Sequence, residues 1–305
     1  MRDAFSVAVP ASSANLGPGF DALAVALELR MRAHVSPGEA FSIVFDASLE
    51  KPTHDGLRRA IIRAIHAVCD DLPPVRIEIQ NDIPLGKGLG SSAAAAVLGI
   101  AIGLRSRGRA LHGRSIAKIA CALEGHPENA LAAVYGGVVV AGSSDARSVL
   151  RLECSRHVRP LVVVPAFELS TSASRAVLPD RYDRADVVST AQRAAFLGAA
   201  LATGTWRGLQ DAMRDCIHQP YRAAHIPGMA QALRVRANGL AGIALSGAGP
   251  SVLALVHAHV QWERIARLIL PCFAKAECEA YAMPLNFAAR GLLVRSRLEE
   301  RRKCA

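Results

Sequence analysis

A two-domain protein of mixed α and β structure is predicted by three observations. The 305 residues are many for one hydrophobic core and suit two. Stretches of period-two alternation, such as 75–80 (Val-Arg-Ile-Glu-Ile-Gln), are interleaved with stretches of helical period. With 51% hydrophobic and 20% charged residues, the composition is that of a compact globular protein and not of a disordered one.

Along the chain, residues 5–9 alternate like a half-buried strand, and a polar turn from Pro10 to Asp21 joins them to a second apolar strand. Leu57, Ala60, Ile61, Ala64, Ile65 and Val68 recur at helical spacing, with Arg58, Arg59 and Arg63 on the other side. A strand at 75–80 follows, then helices at 91–105 and 114–124 and short buried strands at 137–141 and 161–164. The weakly patterned, polar stretch 142–158 is the predicted boundary, giving domains of 1–150 and 151–305. Beyond it the pattern predicts helices near 184–203, 206–216 and 227–237. A strand at 242–245, a glycine turn at 246–250 and a strand at 251–256 make a hairpin. A helix at 260–270 and strands near 278–283 and 292–295 close the series, and no internal repeat is present.

The formal net charge of +10 raises the question of nucleic acid. Arginines are spread over most of the chain, aromatics make up only 5%, and no base-stacking motif is visible. No nucleic-acid partner is therefore predicted, and the positive surface instead favours approach of small anions such as ATP. No apolar run is long enough to span a bilayer, and the first residues lack a signal-peptide core. These predict a cytoplasmic protein without a membrane partner. The seven cysteines are scattered without a C-x-x-C, which predicts reduced thiols and neither a zinc site nor a disulfide framework.

The segment that speaks most about function is Pro84-Leu85-Gly86-Lys87-Gly88-Leu89-Gly90-Ser91-Ser92-Ala93-Ala94. Its glycines let backbone N–H groups approach a ligand, and the helix that opens at once adds unpaired N–H donors and the positive end of its dipole. Together they suit a polyphosphate. Neither the Walker A pattern nor a dinucleotide fingerprint is present. Two further turns stand out. Pro10-Ala11-Ser12-Ser13-Ala14-Asn15-Leu16-Gly17-Pro18-Gly19-Phe20-Asp21 sets an amide and a carboxylate near one bend, and Asp21 could pair with a substrate ammonium. Leu245-Ser246-Gly247-Ala248-Gly249-Pro250-Ser251 is a tight turn whose N–H groups could close around a phosphate. Each alone is also compatible with a plain structural turn.

In this order and at these separations, the three segments resemble the signature motifs of the GHMP small-molecule kinases. The first turn, and Leu123-Glu124-Gly125-His126-Pro127-Glu128-Asn129 followed by Tyr135-Gly136-Gly137, resemble the branch that phosphorylates homoserine. The resemblance runs from about residue 5 to 295. It implies an α+β fold whose N-terminal half is like the second domain of ribosomal protein S5 and whose C-terminal half is ferredoxin-like. It further implies ATP-dependent phosphorylation of L-homoserine to O-phospho-L-homoserine, in threonine biosynthesis, with Mg²⁺ as cofactor. Another GHMP kinase acting on a different alcohol is the alternative, and a homodimer is a state the resemblance leaves open.

On the same resemblance, residues 84–94 wrap the ATP phosphates, and Ser92 and Glu124 match the Mg²⁺ positions. One hydroxyl and one carboxylate suffice, because Mg²⁺ keeps phosphates and waters as its other ligands. Asn15, Asp21, His126, Asn129, Thr171, Arg175, Arg222 and Gly247 match positions lining the amino-acid pocket. Other branches carry an aspartate base where this chain has Asn129, an amide that cannot take a proton near neutral pH. The implied mechanism therefore has no protein general base, with Asn129 positioning the hydroxyl. Two residues depart from the family pattern: Glu128 stands where aspartate is common, and Gly56 where an asparagine often approaches the adenine.

Overall fold

A computed structural model describes residues 3–46 and 54–296. In chain order the elements are β1 (Phe5–Ala14), β2 (Leu23–Pro37), β3 (Ser42–Phe45), α1 (His54–His66), β4 (Val75–Asn81), α2 (Ser91–Ser106), α3 (Gly113–Glu124), α4 (Glu128–Tyr135), β5 (Val138–Ala141) and β6 (Val149–Leu152). The second half adds β7 (Val158–Pro165), α5 (Thr171–Ala176), α6 (Arg184–Thr203), α7 (Leu209–Ala212), α8 (Gln219–Ala223), α9 (Met229–Ala232), β8 (Leu240–Leu245), β9 (Val252–His257), α10 (Trp262–Ala274), β10 (Ala280–Pro284) and β11 (Leu293–Ser296).

The strands form two sheets. One has the order β11-β1-β2-β4-β3, with β5 pairing both β2 and β6, and the other has the order β10-β7-β9-β8. Every pairing is antiparallel except that of β3 with β4. The burial of β4 alternates strictly along Val75, Ile77 and Ile79, so one sheet face packs on helices while the other carries Arg76, Glu78 and Gln80. Against the packed face lies α2, whose residues 93–103 are all buried. Such a helix is apolar on every side because it is covered by the sheet and by other helices. A second core lies on the other sheet, where Leu161, Val163, Leu245, Val252 and Ala254 meet Ile265, Ile269 and Phe273 of α10.

The predicted helices at 91–105, 114–124 and 184–203 are present with nearly those limits. Those expected at 206–216 and 227–237 shrink to the single turns α7 and α9. Asp215 explains the first: its carboxylate accepts from the N–H groups of Ile217, His218 and Gln219, which starts a new turn there. The polar stretch 142–158 contains β6, a member of the first sheet, and β11 returns from the end of the chain to pair with β1. The first strand also runs on through the polar segment to Ala14, with a register shift at Pro10/Ala11.

Candidate active site

A cleft of about 300 Å³ opens between the two halves, bordered by the glycine loop, the start of α2, the end of α3, the start of α4 and the 246–250 turn. Three segments distant in sequence are sewn together around it. The Ser12 N–H donates to the Leu89 carbonyl (3.1 Å) and the Gly247 N–H to the Ala14 carbonyl (3.0 Å). The Ser246 hydroxyl lies 2.7 Å from the Gly88 carbonyl and 2.8 Å from the Ser13 hydroxyl. The three glycine-bearing turns thus form one wall, and two glycines are required for it by space as well as by conformation. A Cβ on Gly90 would lie 2.0 Å from Ser12 Oγ, and one on Gly88 would lie 2.3 Å from the Ser246 carbonyl; both residues have positive φ.

Gly90 precedes α2, so the N–H groups of Ser91, Ser92 and Ala93 have no acceptor one turn back along the helix. Gly86, Gly88, Leu89, Gly90, Ser91 and Ser92 border the cleft, whereas Pro84, Leu85, Lys87, Ala93 and Ala94 do not. The Lys87 ammonium is turned to the other half, donating to the carbonyls of Ala166 (3.1 Å) and Phe167 (2.8 Å). Burial holds its pKa below the ordinary lysine value, only partly offset by Glu168. Across from the helix start, the Ser92 hydroxyl donates to Glu124 Oε1 at 2.8 Å. Glu124 is the last residue of α3, with Gly125 in a left-handed cap behind it. Burial raises its pKa above the ordinary glutamate value, against the lowering effect of the Ser92 bond and His126.

At the other end of the cleft, charged side chains hold one another. Asp21 pairs with Arg175 through two bonds, Nη2–Oδ1 at 2.7 Å and Nη1–Oδ2 at 3.1 Å. Asn15 braces this corner: its Oδ1 accepts from the Asp21 N–H and its Nδ2 donates to the Gly247 carbonyl. Asn15, Leu16 and Asp21 all have positive φ, a costly conformation outside glycine that is typical of functional sites. Arg222 is buried, 2% exposed, and donates to the carbonyls of Ser174 (3.2 Å) and Gly247 (3.1 Å). Burial, and then the nearby Arg175, lower its pKa to about 10, so it remains a cation at neutral pH.

Asn129 sits between the two ends. Its Oδ1 accepts from the Ser12 hydroxyl (2.7 Å) and its Nδ2 donates to Glu128 Oε1 (2.8 Å). Glu128 is buried, 2% exposed, and its Oε2 has no hydrogen-bond partner. His126 Nδ1 stands 3.0 Å from Glu128 Oε1, at ion-pair distance but without hydrogen-bond alignment. Burial acts to lower the His126 pKa, but Glu128 and Glu124 outweigh it and the net shift is upward.

Of the residues singled out in the sequence, Asn15, Asp21, Ser92, Glu124, His126, Asn129, Arg175, Arg222 and Gly247 all border this cleft. Thr171 opens α5, but its side chain lies outside the described residues. Sequence reasoning missed Glu128 and Phe20 as members of the site. Glu128 was noted only as a departure in a helix start, whereas it is a buried carboxylate facing the cleft. Phe20 lies under both guanidinia, 5.5 Å from that of Arg175 and 5.1 Å from that of Arg222, and stacks on buried His218. Burial lowers the His218 pKa. The neutral ring donates from Nε2 to the Gly17 carbonyl (2.7 Å), which leaves Nδ1 to face Arg222 as an acceptor. The Pro-Gly-Phe-Asp sequence was the available signal for Phe20.

Comparisons with known proteins bear on the family and the fold. Residues 59–137 match the profile of the GHMP kinases N terminal domain, and residues 198–267 that of the GHMP kinases C terminal domain. A homoserine kinase of Deinococcus radiodurans is 42% identical over 82% of this chain and 83% of its own. One of Desulfitobacterium hafniense is 36% identical over 94% of this chain and 99% of its own. Among solved structures, a homoserine kinase from Cytophaga hutchinsonii superposes with a TM-score of 0.79 at 24% identity, covering 97% of this chain and 98% of that one.

Proposed function

The chain belongs to the GHMP kinase family, and from that premise we propose that it transfers the γ-phosphoryl group of ATP to the side-chain hydroxyl of L-homoserine. The products are O-phospho-L-homoserine and ADP, and the step serves threonine biosynthesis. One observation carries this reading most directly. A single cleft joins a helix start suited to phosphates to a cluster of two guanidinia and two carboxylates suited to an amino acid.

In this proposal the free N–H groups at the start of α2, with the glycine loop and the 246–250 turn, hold the ATP phosphates. The Ser92 hydroxyl and the Glu124 carboxylate, 2.8 Å apart at the rim, are an oxygen pair of the kind Mg²⁺ accepts. There the ion would neutralise charge on the polyphosphate. Arg175 and Arg222 receive the α-carboxylate, for which the guanidinium fork is matched. Asp21 and Glu128 face the ammonium. Asn15 and Gly247 fix the corner from which Asp21 projects, and His126 completes the wall of the pocket; Thr171 keeps its role from the resemblance alone.

The remaining hydroxyl of the amino acid is then directed toward Asn129. It attacks the γ-phosphorus, the bond to the bridging oxygen breaks toward ADP, and the hydroxyl proton passes to phosphate or water. An amide cannot accept that proton, and Asn129 is already engaged by Ser12 and Glu128. Its part is to orient the nucleophile, and alignment with charge neutralisation is what phosphoryl transfer chiefly requires. No helix among the described residues is long and apolar enough to cross a bilayer. A coupled assay with Mg-ATP and a panel of homoserine, mevalonate and galactose tests the reading. Homoserine is expected to be turned over fastest, and faster turnover of mevalonate or galactose would overturn it.

A further inference from the structure

Asp21 and Arg175, which the proposed function assigns to opposite ends of the amino acid, are bonded to each other. The pair is two-pronged, at 2.7 and 3.1 Å, and joins residues 154 positions apart in sequence. Both side chains are about one-third exposed toward the cleft. Arg222, by contrast, hydrogen-bonds among the described residues to backbone carbonyls and neutral His218, over the Phe20 ring, and pairs with no carboxylate. The anionic side of the pair has a neighbour as well: Asp21, His126 and Glu128 each present an atom within 4.8 Å of the others, and Glu128 Oε2 lacks a partner.

We propose that the Asp21–Arg175 pair is a specificity lock that opens readily only to a ligand carrying an ammonium and a carboxylate together. The proposal rests on the reading of this cleft as an amino-acid site. A zwitterion replaces both partners in one event, with its ammonium between Asp21 and Glu128 and its carboxylate on Arg175 beside Arg222. A ligand with a carboxylate alone has two poorer choices. It can leave the pair closed and use Arg222 only, or part the pair and leave Asp21 beside Glu128 and His126 without its guanidinium. A ligand with an ammonium alone strands Arg175 next to Arg222. Leaving a partly shielded charge unpaired offsets what the new contact contributes. Discrimination thus comes from the pair as a unit, through the penalty placed on the wrong ligand.

The Asp21→Asn substitution separates this lock from a simple ammonium site. Asparagine tolerates the left-handed backbone at this position, and it releases Arg175. The experiment is titration calorimetry of the full chain, wild type and Asp21→Asn, with L-homoserine and with 4-hydroxybutyrate, which lacks only the amino group. Homoserine is expected to bind the variant more weakly. In contrast, 4-hydroxybutyrate is expected to bind the variant about tenfold more tightly than the wild type, the order of a well-formed bidentate pair. Equal or weaker binding of 4-hydroxybutyrate by the variant, with homoserine still bound by the wild type, overturns the lock. Failure of the wild type to bind homoserine overturns the functional reading itself.

Discussion

In the proposed function the two ends of the cleft solve the same problem, holding an anion, by opposite means. At the phosphate end the donors are backbone N–H groups of a helix start, fixed by glycines that pack within contact distance of Ser12 and Ser246. At the amino-acid end the donors are guanidinia, with Asp21, Glu128 and Phe20 close around them. Backbone donors cannot find other partners, so that end is ready before the ligand arrives. Side-chain donors can, and Arg175 has done so. On that reading, nucleotide affinity depends on local conformation, and amino-acid affinity on exchange of partners.

The comparison breaks most visibly at Arg222. Removing a buried charged partner is worth about 2–5 kcal/mol, so Arg222→Ala is expected to lower kcat/KM for homoserine by that amount. The KM for ATP should stay nearly unchanged. Arg175→Ala should move in the same direction by less, because its guanidinium is more exposed than that of Arg222. Steady-state kinetics with each substrate varied in turn checks both. Loss of ATP affinity with homoserine KM intact would place the arginines on the phosphate side and erase the distinction drawn between the ends.

Glu124 lies at the boundary and sharpens it. Glu124→Gln keeps the shape and the approach to Ser92 but removes the charge that a divalent cation needs. The expected outcome is a fall in kcat of at least about a hundredfold, since charge stabilisation in the transition state is lost. Circular dichroism should show the fold unchanged. Near wild-type kcat with an unaltered Mg²⁺ optimum would mean that the ion is held elsewhere.

How much of this was legible depends on the range of the interactions concerned. The glycine loop and α2 are local facts, written in Gly86 to Ala94 and in the run of small apolar residues that follows. β4 and α1 were legible for the same reason, through alternation and helical period. β3 and β6 are four-residue strands whose pairing partners, not their own pattern, define them. The return of β11 to β1 is a contact between the two ends of the chain, and no window of sequence contains it. Among the residues bordering the cleft, those with a family pattern were named from the sequence. Glu128 was not, because only the fold shows that its carboxylate is buried against Asn129 and His126. The Asp21–Arg175 bond was equally invisible, and it changes what both residues do before a ligand arrives.

A smaller effect is expected at Asn129. If its amide only orients the hydroxyl, Asn129→Asp does not improve the catalyst. The new carboxylate would stand beside Glu128 and near the γ-phosphate, where like charges repel strongly in a shielded site. It would also lose the donor bond now made to Glu128. A drop in kcat/KM of about tenfold is expected, the scale of one or two lost or repulsive polar contacts. A pH–rate profile of both proteins decides the matter. A gain in kcat that follows ionisation of the new carboxylate would show that a base was wanting, and that the proposed mechanism is wrong.

The smallest effect isolates what glycine contributes to the phosphate end. Gly86 and Gly88 have nearly the same left-handed φ, +67° and +70°, yet their surroundings differ. A Cβ on Gly88 would lie 2.3 Å from the Ser246 carbonyl, whereas one on Gly86 would meet nothing within 4 Å. Gly86→Ala therefore carries only the conformational cost, about 1–2 kcal/mol. That predicts a fall in Tm of a few degrees, with the KM for ATP close to wild type. Gly88→Ala adds a clash with backbone that ties two segments together, so it should also weaken ATP use. Thermal melts and ATP titrations of the two variants separate strain from shape. Equal damage to ATP use from both substitutions would mean that the loop must flex to bind, and that the phosphate end is not preformed.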